Sequence, residues 1–340
     1  MPLSLLVSNM IGSHEILVRN NRVQYKFTVN RNITILRGDS ASGKTTLIDM
    51  IADYSRDGAE SGIEVRCDKK CVVLERGNWE RDLKDYKDSI VFIDEGNSFV
   101  RSYGFADMIQ NSDNYYVIAT RDSLFNLPYS ICEIYGIRNK SGNRYQGTKR
   151  ICSETYPLYN REILHGKPDK VIIEDSNAAY DFFRAVCGKE GIVCETACGK
   201  SNIYKCVQNA DEERVLVIAD GAAFGPEMER AMALKRVKNV VFFLPESFEW
   251  LILKSGLIDG NELQDMLKHP GDFIKSERYF SWERFFTALL VDQTKDSYMS
   301  YNKSSLNSVY LHEKNKATSC VDSIPIMNLH GRSSWSKHLR

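Results

Sequence analysis

The sequence lacks net charge: across 340 residues, 45 lysines and arginines stand against 45 aspartates and glutamates. That balance excludes a chain coated with basic residues for nucleic acid, but not a local basic groove. Long hydrophobic runs are missing too. The longest, such as VVFFL at 240–244, fall far short of the roughly 20 residues that cross a bilayer, so no membrane partner is expected. The opening MPLSLLVSNM has neither a basic region nor a long apolar core, which argues against a secretory signal. Internal repeats and low-complexity tracts are absent. The nine cysteines are odd in number and, with no secretory signal, read as reduced thiols of a cytoplasmic protein. No histidine lies near enough to Cys67/Cys71 or Cys194/Cys198 to complete an obvious zinc set, so these read as buried or indifferent thiols.

What is present is globular material. Hydrophobic residues make up 43% and charged residues 26%, which excludes disorder and collagen-like structure. Single cores stop growing near about 250–300 residues, so the length implies two domains. Residues 14–29 predict a hairpin: a short run to Arg19, the turn pair Asn20-Asn21, then Val23, Tyr25, Phe27 and Val29 alternating with polar residues. The run NITILRG predicts a strand, followed by a Gly/Ser loop and a helix from Lys44 to about Tyr54. SIVFIDE (89–95), YYVIATRD (115–122) and ICEIYGI (131–137) predict further strands. Strands alternating with helix-length segments imply an α/β layer with a largely parallel sheet. The polar stretch 138–168 marks a boundary, giving domains at 1–150 and 165–340. The pattern restarts with VIIED (171–175), IVCET (192–196), VLVIAD (215–220) and VVFFL. It ends in a mainly helical part, where Trp282, Phe285, Phe286, Leu289 and Leu290 follow helical spacing.

The most specific motif is GDSASGKT, Gly38 to Thr45. It fits G-x-x-x-x-G-K-[ST] and lies between a strand and a helix, where its mechanism requires it. The loop residues Gly38, Ser40, Ser42 and Gly43, with Thr46 beyond, would present amides and hydroxyls to phosphate oxygens at a helix N-terminus. Lys44 would reach the β- and γ-phosphates, and Thr45 would ligate Mg²⁺. SIVFIDEG supplies the matching acidic strand end: Asp94 for the Mg²⁺ shell and Glu95 to polarise an attacking water.

These pieces resemble the ATP-binding cassette type of P-loop ATPase. VIATRD sits where that family has its switch histidine, so Arg121 occupies that position, either as a γ-phosphate contact or as a structural surface arginine. The stretch between Thr45 and Asp94 is too short for the family's helical subdomain, and no LSGGQ-like signature follows.

The second half places carboxylates at strand ends: Glu174 and Asp175, Asp220, then Glu246 and Glu249. In a parallel sheet such ends share one edge, and oxygen ligands there suit Mg²⁺ or Mn²⁺. The order of pieces resembles a Toprim domain. The resemblance assigns Glu174 to the first strand end and GKSN (199–202) to the glycine-containing loop, with Lys200 as a phosphate contact. Asp220 takes the first position of the third-strand aspartate pair. Ala222 stands where the second aspartate belongs, and Glu246 or Glu249 would supply the missing ligand.

An ATPase of this type followed by a Toprim domain is the architecture of the OLD family of nucleases, whose members act in bacterial defence against phages. The resemblance implies an α/β fold: a P-loop NTPase with a reduced helical subdomain, then a Toprim-like domain with C-terminal helices. It implies ATP and Mg²⁺ or Mn²⁺ as cofactors, Glu95, Glu174 and Asp220 as catalytic residues, and Thr45, Asp94, Glu174, Asp220, Glu246 and Glu249 as metal ligands. Nucleic acid and either a homo-oligomer or a partner protein are the partners implied. A catalytically degenerate nucleotide-sensing switch and a small-molecule phosphotransferase remain as alternatives. Two aromatic segments, 244–257 and 276–286, read as core or as base-stacking surfaces, and the tail residues Arg332, Lys337 and Arg340 as solvated or as nucleic-acid contacts.

Overall fold

The computed structural model describes residues 11–38, 42–140, 151–159 and 167–312. Ser40 and the three tail cations therefore lie outside the described residues. The chain divides into two compact units: 1–160 together with 268–282, and 161–267 together with 283–340. No helix among the described residues is long and apolar enough to cross a membrane.

Unit one contains β1 (His14–Arg19), β2 (Val23–Val29), β3 (Ile33–Leu36), α1 (Lys44–Asp57), β4 (Glu64–Arg66) and β5 (Lys70–Val73). It continues with α2 (Trp79–Asp85), β6 (Ser89–Ile93), α3 (Tyr103–Gln110), β7 (Tyr115–Ala119), β8 (Ile134–Lys140) and β9 (Ile151–Pro157). Its nine strands form one sheet in the order β4-β1-β2-β9-β8-β3-β7-β6-β5. The strands from β8 to β5 run parallel. The expected hairpin is β1 and β2, paired from His14↔Val29 to Arg19↔Gln24, with the Asn20 side chain accepting the Arg22 and Val23 N–H groups in the turn. Every residue of β3, β6 and β7 is buried, which is why these strands read as continuous apolar runs. Helix α1 buries Leu47, Ile48 and Ile51 against Ile16, Tyr25, Phe27, Phe92 and Val117 of the sheet. This packing fixes the helix whose first residue closes the phosphate loop.

Residues 268–282 belong with this unit, whereas the sequence pattern placed them in the second. The reason lies in specific contacts. The Gly12 N–H donates to the Gly271 carbonyl at 2.9 Å, and the Asn32 amide donates to the Ser276 carbonyl at 3.2 Å. The Arg31 guanidinium lies 3.5 Å from the Trp282 ring centroid and 3.5 Å from the buried Glu133 carboxylate.

Unit two is built on four parallel strands, β10 (Lys170–Ile173), β11 (Val193–Thr196), β12 (Val215–Ile218) and β13 (Val240–Phe243), in the order β11-β10-β12-β13. Registers Ile173↔Thr196, Ile173↔Ile218 and Ile218↔Phe243 align their C-terminal ends. The helices are α4 (Ala178–Lys189), α5 (Lys200–Gln208), α6 (Met228–Lys235), α7 (Phe248–Lys254), α8 (Asn261–Lys268) and α9 (Trp282–Thr294). Phe182 and Phe183 of α4 pack edge-on to each other and against Phe248 of α7. Phe248, Leu251, Ile252 and Leu253 are buried, as are Phe280, Trp282, Phe285 and Phe286. Both aromatic segments are thus core rather than base-stacking surfaces. Among the described cysteines all thiols are free. The Cys194 thiol is lowered from its ordinary range, chiefly by a hydrogen bond with the Cys187 thiol.

Candidate functional site

The phosphate loop has the backbone that its glycines were expected to allow. Gly38 has φ +150° and Gly43 φ +91°, the latter a left-handed conformation that side chains disfavour. A Cβ on Gly43 would also stand 2.7 Å from the Tyr25 hydroxyl, which donates to the Gly43 carbonyl at 3.0 Å. Helix α1 begins at the next residue with no side-chain cap and no acidic residue in its first turn. Its first N–H groups and its positive end are available to an anion. The Lys44 ammonium is folded into the loop, donating to the Gly38 carbonyl at 2.6 Å and the Ser42 hydroxyl at 3.1 Å. Thr45 and Thr46 are exposed at the helix start.

Strand β7 lies between β3 and β6, so the ends of all three meet at one edge. There the Thr45 hydroxyl donates to Asp94 Oδ1 at 3.4 Å. Glu95 is paired with Arg121, Oε1 to Nε, at 2.7 Å. The pair engages the carboxylate expected to activate water. Asp49, one helical turn beyond Thr45, also faces Asp94. Its carboxyl is pushed up by burial and by the negative charges of Asp94 and Asp53. The i, i+4 spacing from Thr45 was the available signal for it. A separate cavity of about 620 Å³ is lined by residues such as Tyr54, Arg56, Lys70, Cys71 and Tyr86; no phosphate-loop residue lines it.

In unit two the strand-end carboxylates converge as the parallel register demands. Glu174 follows β10 and accepts the Asp220 N–H on Oε2 at 3.0 Å. Asp220 follows β12 and accepts the Phe248 N–H at 3.2 Å. Burial pushes the Glu174 carboxyl above the ordinary range. Asp220 is raised well above it by burial first, and then by the charges of Glu283, Glu249 and Glu174. Gly221 makes the turn possible. Its N–H donates to the Pro245 carbonyl at 2.6 Å, and a Cβ there would stand 2.5 Å from the Leu244 carbonyl oxygen. Ala222 is buried in the same turn, with its N–H donating to the Glu246 carbonyl at 3.3 Å.

The expected metal ligands are not arranged as a cage. Among the described residues, no group of three or more His, Cys, Asp or Glu side chains is placed to hold a metal ion. In unit one this is compatible with Mg²⁺, which commonly takes one or two protein ligands and fills the rest with phosphate and water. In unit two the carboxylates are committed elsewhere. Glu249 is 1% exposed and accepts the Tyr301 hydroxyl on Oε1 at 2.9 Å. Glu246 meets the turn through its backbone. Lys200, expected on a phosphate, donates instead to the Ala223 carbonyl at 2.9 Å, while its charge favours ionised Glu174.

Three members of this cluster were missed: Glu283 at the start of α9, and Tyr301 and Lys303 beyond its end. The Lys303 ammonium bonds Glu283 at 2.7 Å. Only tertiary packing brings them to the strand ends, and no local motif marks them.

Compared with known proteins, the chain matches no protein-family model, no curated protein and no solved structure.

Proposed function

We propose that the chain is an ATP-binding protein in which nucleotide at unit one regulates unit two, a Toprim-like unit that cleaves DNA or RNA phosphodiesters with Mg²⁺ or Mn²⁺. A role in bacterial anti-phage defence follows from the motifs' resemblance to the OLD family. The loop at 38–45 carries the reading. It combines two positive-φ glycines, an uncapped helix start and a buried lysine that donates to the Gly38 carbonyl and the Ser42 hydroxyl, groups that a phosphate can replace.

In this reading the α1 N–H groups and Lys44 bind the phosphates, with Lys44 leaving the Gly38 carbonyl for a phosphate oxygen. Thr45 and Asp94 would hold Mg²⁺, which would neutralise phosphate charge. Turnover requires Glu95 to release Arg121. In unit two, carboxyls held above the ordinary range, Glu174 and Asp220, are suited to moving a proton to or from a phosphodiester oxygen.

A second reading, a nucleotide-sensing switch that recruits a partner, is favoured by one observation: the unit-two carboxylates are already engaged by Tyr301, Lys303 and backbone N–H groups. Plasmid and RNA cleavage with and without ATP and Mn²⁺ separates the two. The nuclease reading expects cutting that Glu174→Ala reduces by about a hundredfold or more. Metal-replete wild-type protein that cuts neither substrate, yet changes its sedimentation with ATP, would leave the switch.

A further inference from the structure

Cys67 and Cys71 flank the turn that joins β4 to β5, the two edge strands of the unit-one sheet. One residue of that turn engages both sulfurs. The Cys67 sulfur accepts the Lys69 N–H at 3.4 Å, and the Cys71 thiol donates to the Lys69 carbonyl at 3.9 Å. The two thiols also hydrogen-bond each other. Both cysteines pack against the unit-one core, and both line the cavity of about 620 Å³ described above. They are partly exposed, so each is held on one side and reached from the other. Arg56, Lys69 and Lys70 line the same cavity. Paired, partly exposed thiols beside cationic side chains are the surroundings of a reactive dithiol rather than of inert core cysteines.

We propose that Cys67 and Cys71 form a reversible redox site, oxidised to an intramolecular disulfide by a low-molecular-weight disulfide that enters through this cavity. Cys67 is the attacking sulfur, because the Lys69 N–H and the Cys71 S–H both point at it and favour its thiolate. Its thiol is accordingly lowered from the ordinary range, chiefly by the Cys71 hydrogen bond, although Asp68 at 3.5 Å opposes the charge. The Cys67 thiolate attacks one sulfur of the oxidant, forms a mixed disulfide and releases one small thiolate, which takes up a proton. Cys71 then loses its proton to solvent and attacks the Cys67 sulfur, forming the internal bond and releasing the second small thiol. The protein gives up two protons and two electrons, and the oxidant gains them as two thiols. The order follows from the pair itself. Cys71 is pushed up by its bond to Cys67, by burial and by the Cys67 charge, and the mixed disulfide removes that charge. The site stands apart from the phosphate loop: the Ser55 hydroxyl, near the far end of α1, donates to the Cys71 carbonyl at 3.3 Å. The inference therefore does not depend on the nucleotide reading.

The test is incubation of the folded full chain with glutathione disulfide, alkylation of the remaining thiols, and mass spectrometry of the unreduced tryptic digest. Trypsin cuts after Arg66, Lys69 and Lys70, so the two cysteines leave in separate peptides joined only by the bridge. The joined pair is expected in the wild type and should vanish on treatment with dithiothreitol. Cys71→Ser should stop at the glutathione mixed disulfide on Cys67. Cys67→Ser should slow oxidation of Cys71 about tenfold or more, since the remaining thiol lacks the activated partner. A folded wild-type chain that yields no joined pair overturns the proposal, and this measurement stands even where a variant does not fold. A folded Cys67→Ser chain in which Cys71 reacts as fast as before, or a folded Cys71→Ser chain that gathers no glutathione on Cys67, overturns it as well.

Discussion

Both units gather carboxylates at the C-terminal ends of parallel strands, yet they handle the charge in opposite ways. In unit one the acidic end of β6 opens to solvent beside an uncapped helix start, and a ligand can supply what the loop needs. In unit two the carboxylates are withdrawn from water and the chain supplies its own donors: two backbone N–H groups, a tyrosine and a lysine. A strand-end position thus sets where a carboxylate goes, while burial sets what it must be paired with. The first site leaves its helix start uncapped, while the second engages its carboxylates from within the chain, except at Glu249 Oε2, which is buried without a hydrogen-bond partner.

Three measurements break or sharpen this contrast. The largest effect is expected from Lys44→Ala. Losing the one buried cation of the loop should weaken binding of a fluorescent ATP analogue by about a hundredfold, with thermal stability of unit two unchanged. Retained affinity would mean that the loop is not a phosphate site.

The second is a pH dependence. Glu174 and Asp220 are raised in the folded protein, chiefly by burial. The folded state therefore binds more protons than the unfolded one between the ordinary carboxylate range, near about pH 4, and the raised values. Their contribution is full below that window and is lost as pH rises through it. Asp220→Asn should flatten this decline in denaturant melts. Asp169, held low by its hydrogen bonds to Arg214, acts in the opposite sense: its contribution is lost as pH falls. An unaltered slope in Asp220→Asn would show that the cluster is wetter than its packing implies.

The smallest effect belongs to Arg121→Ala. The Glu95–Arg121 pair is a partly exposed ion pair, so its loss should change stability by less than about 1 kcal/mol. Any larger change would show that the pair braces the sheet edge rather than standing ready to open.

What could be read from the residues follows the range of the forces involved. Strands β3, β6, β7, β10, β12 and β13 declare themselves because burial on both faces requires runs such as SIVFI and VLVI. The loop at 38–45 is legible because every group that it needs lies within eight consecutive residues. The short edge strands β4 and β5, three and four residues long, leave no such mark, and neither does β9, an inner strand that is partly exposed with no alternation. The second site was half legible. Glu174 and Asp220 are placed by the strand pattern itself. Glu283 and Lys303 arrive from a helix and a loop more than sixty residues beyond Asp220, and nothing in their neighbours announces the destination. Glu249 looked like a ligand because it follows a strand, but its place in α7 turns it into the core beside Tyr301.

The return of residues 268–282 to unit one bears on how the chain is made. A ribosome releases β1 through β9 first, then more than a hundred residues of unit two, before the last piece of unit one emerges. Until then Gly12 waits for Gly271, Asn32 for Ser276, and Arg31 for the ring of Trp282. Unit one thus cannot be completed while its own strands are being synthesised. It is finished late, by a segment released only after all four strands of the other unit.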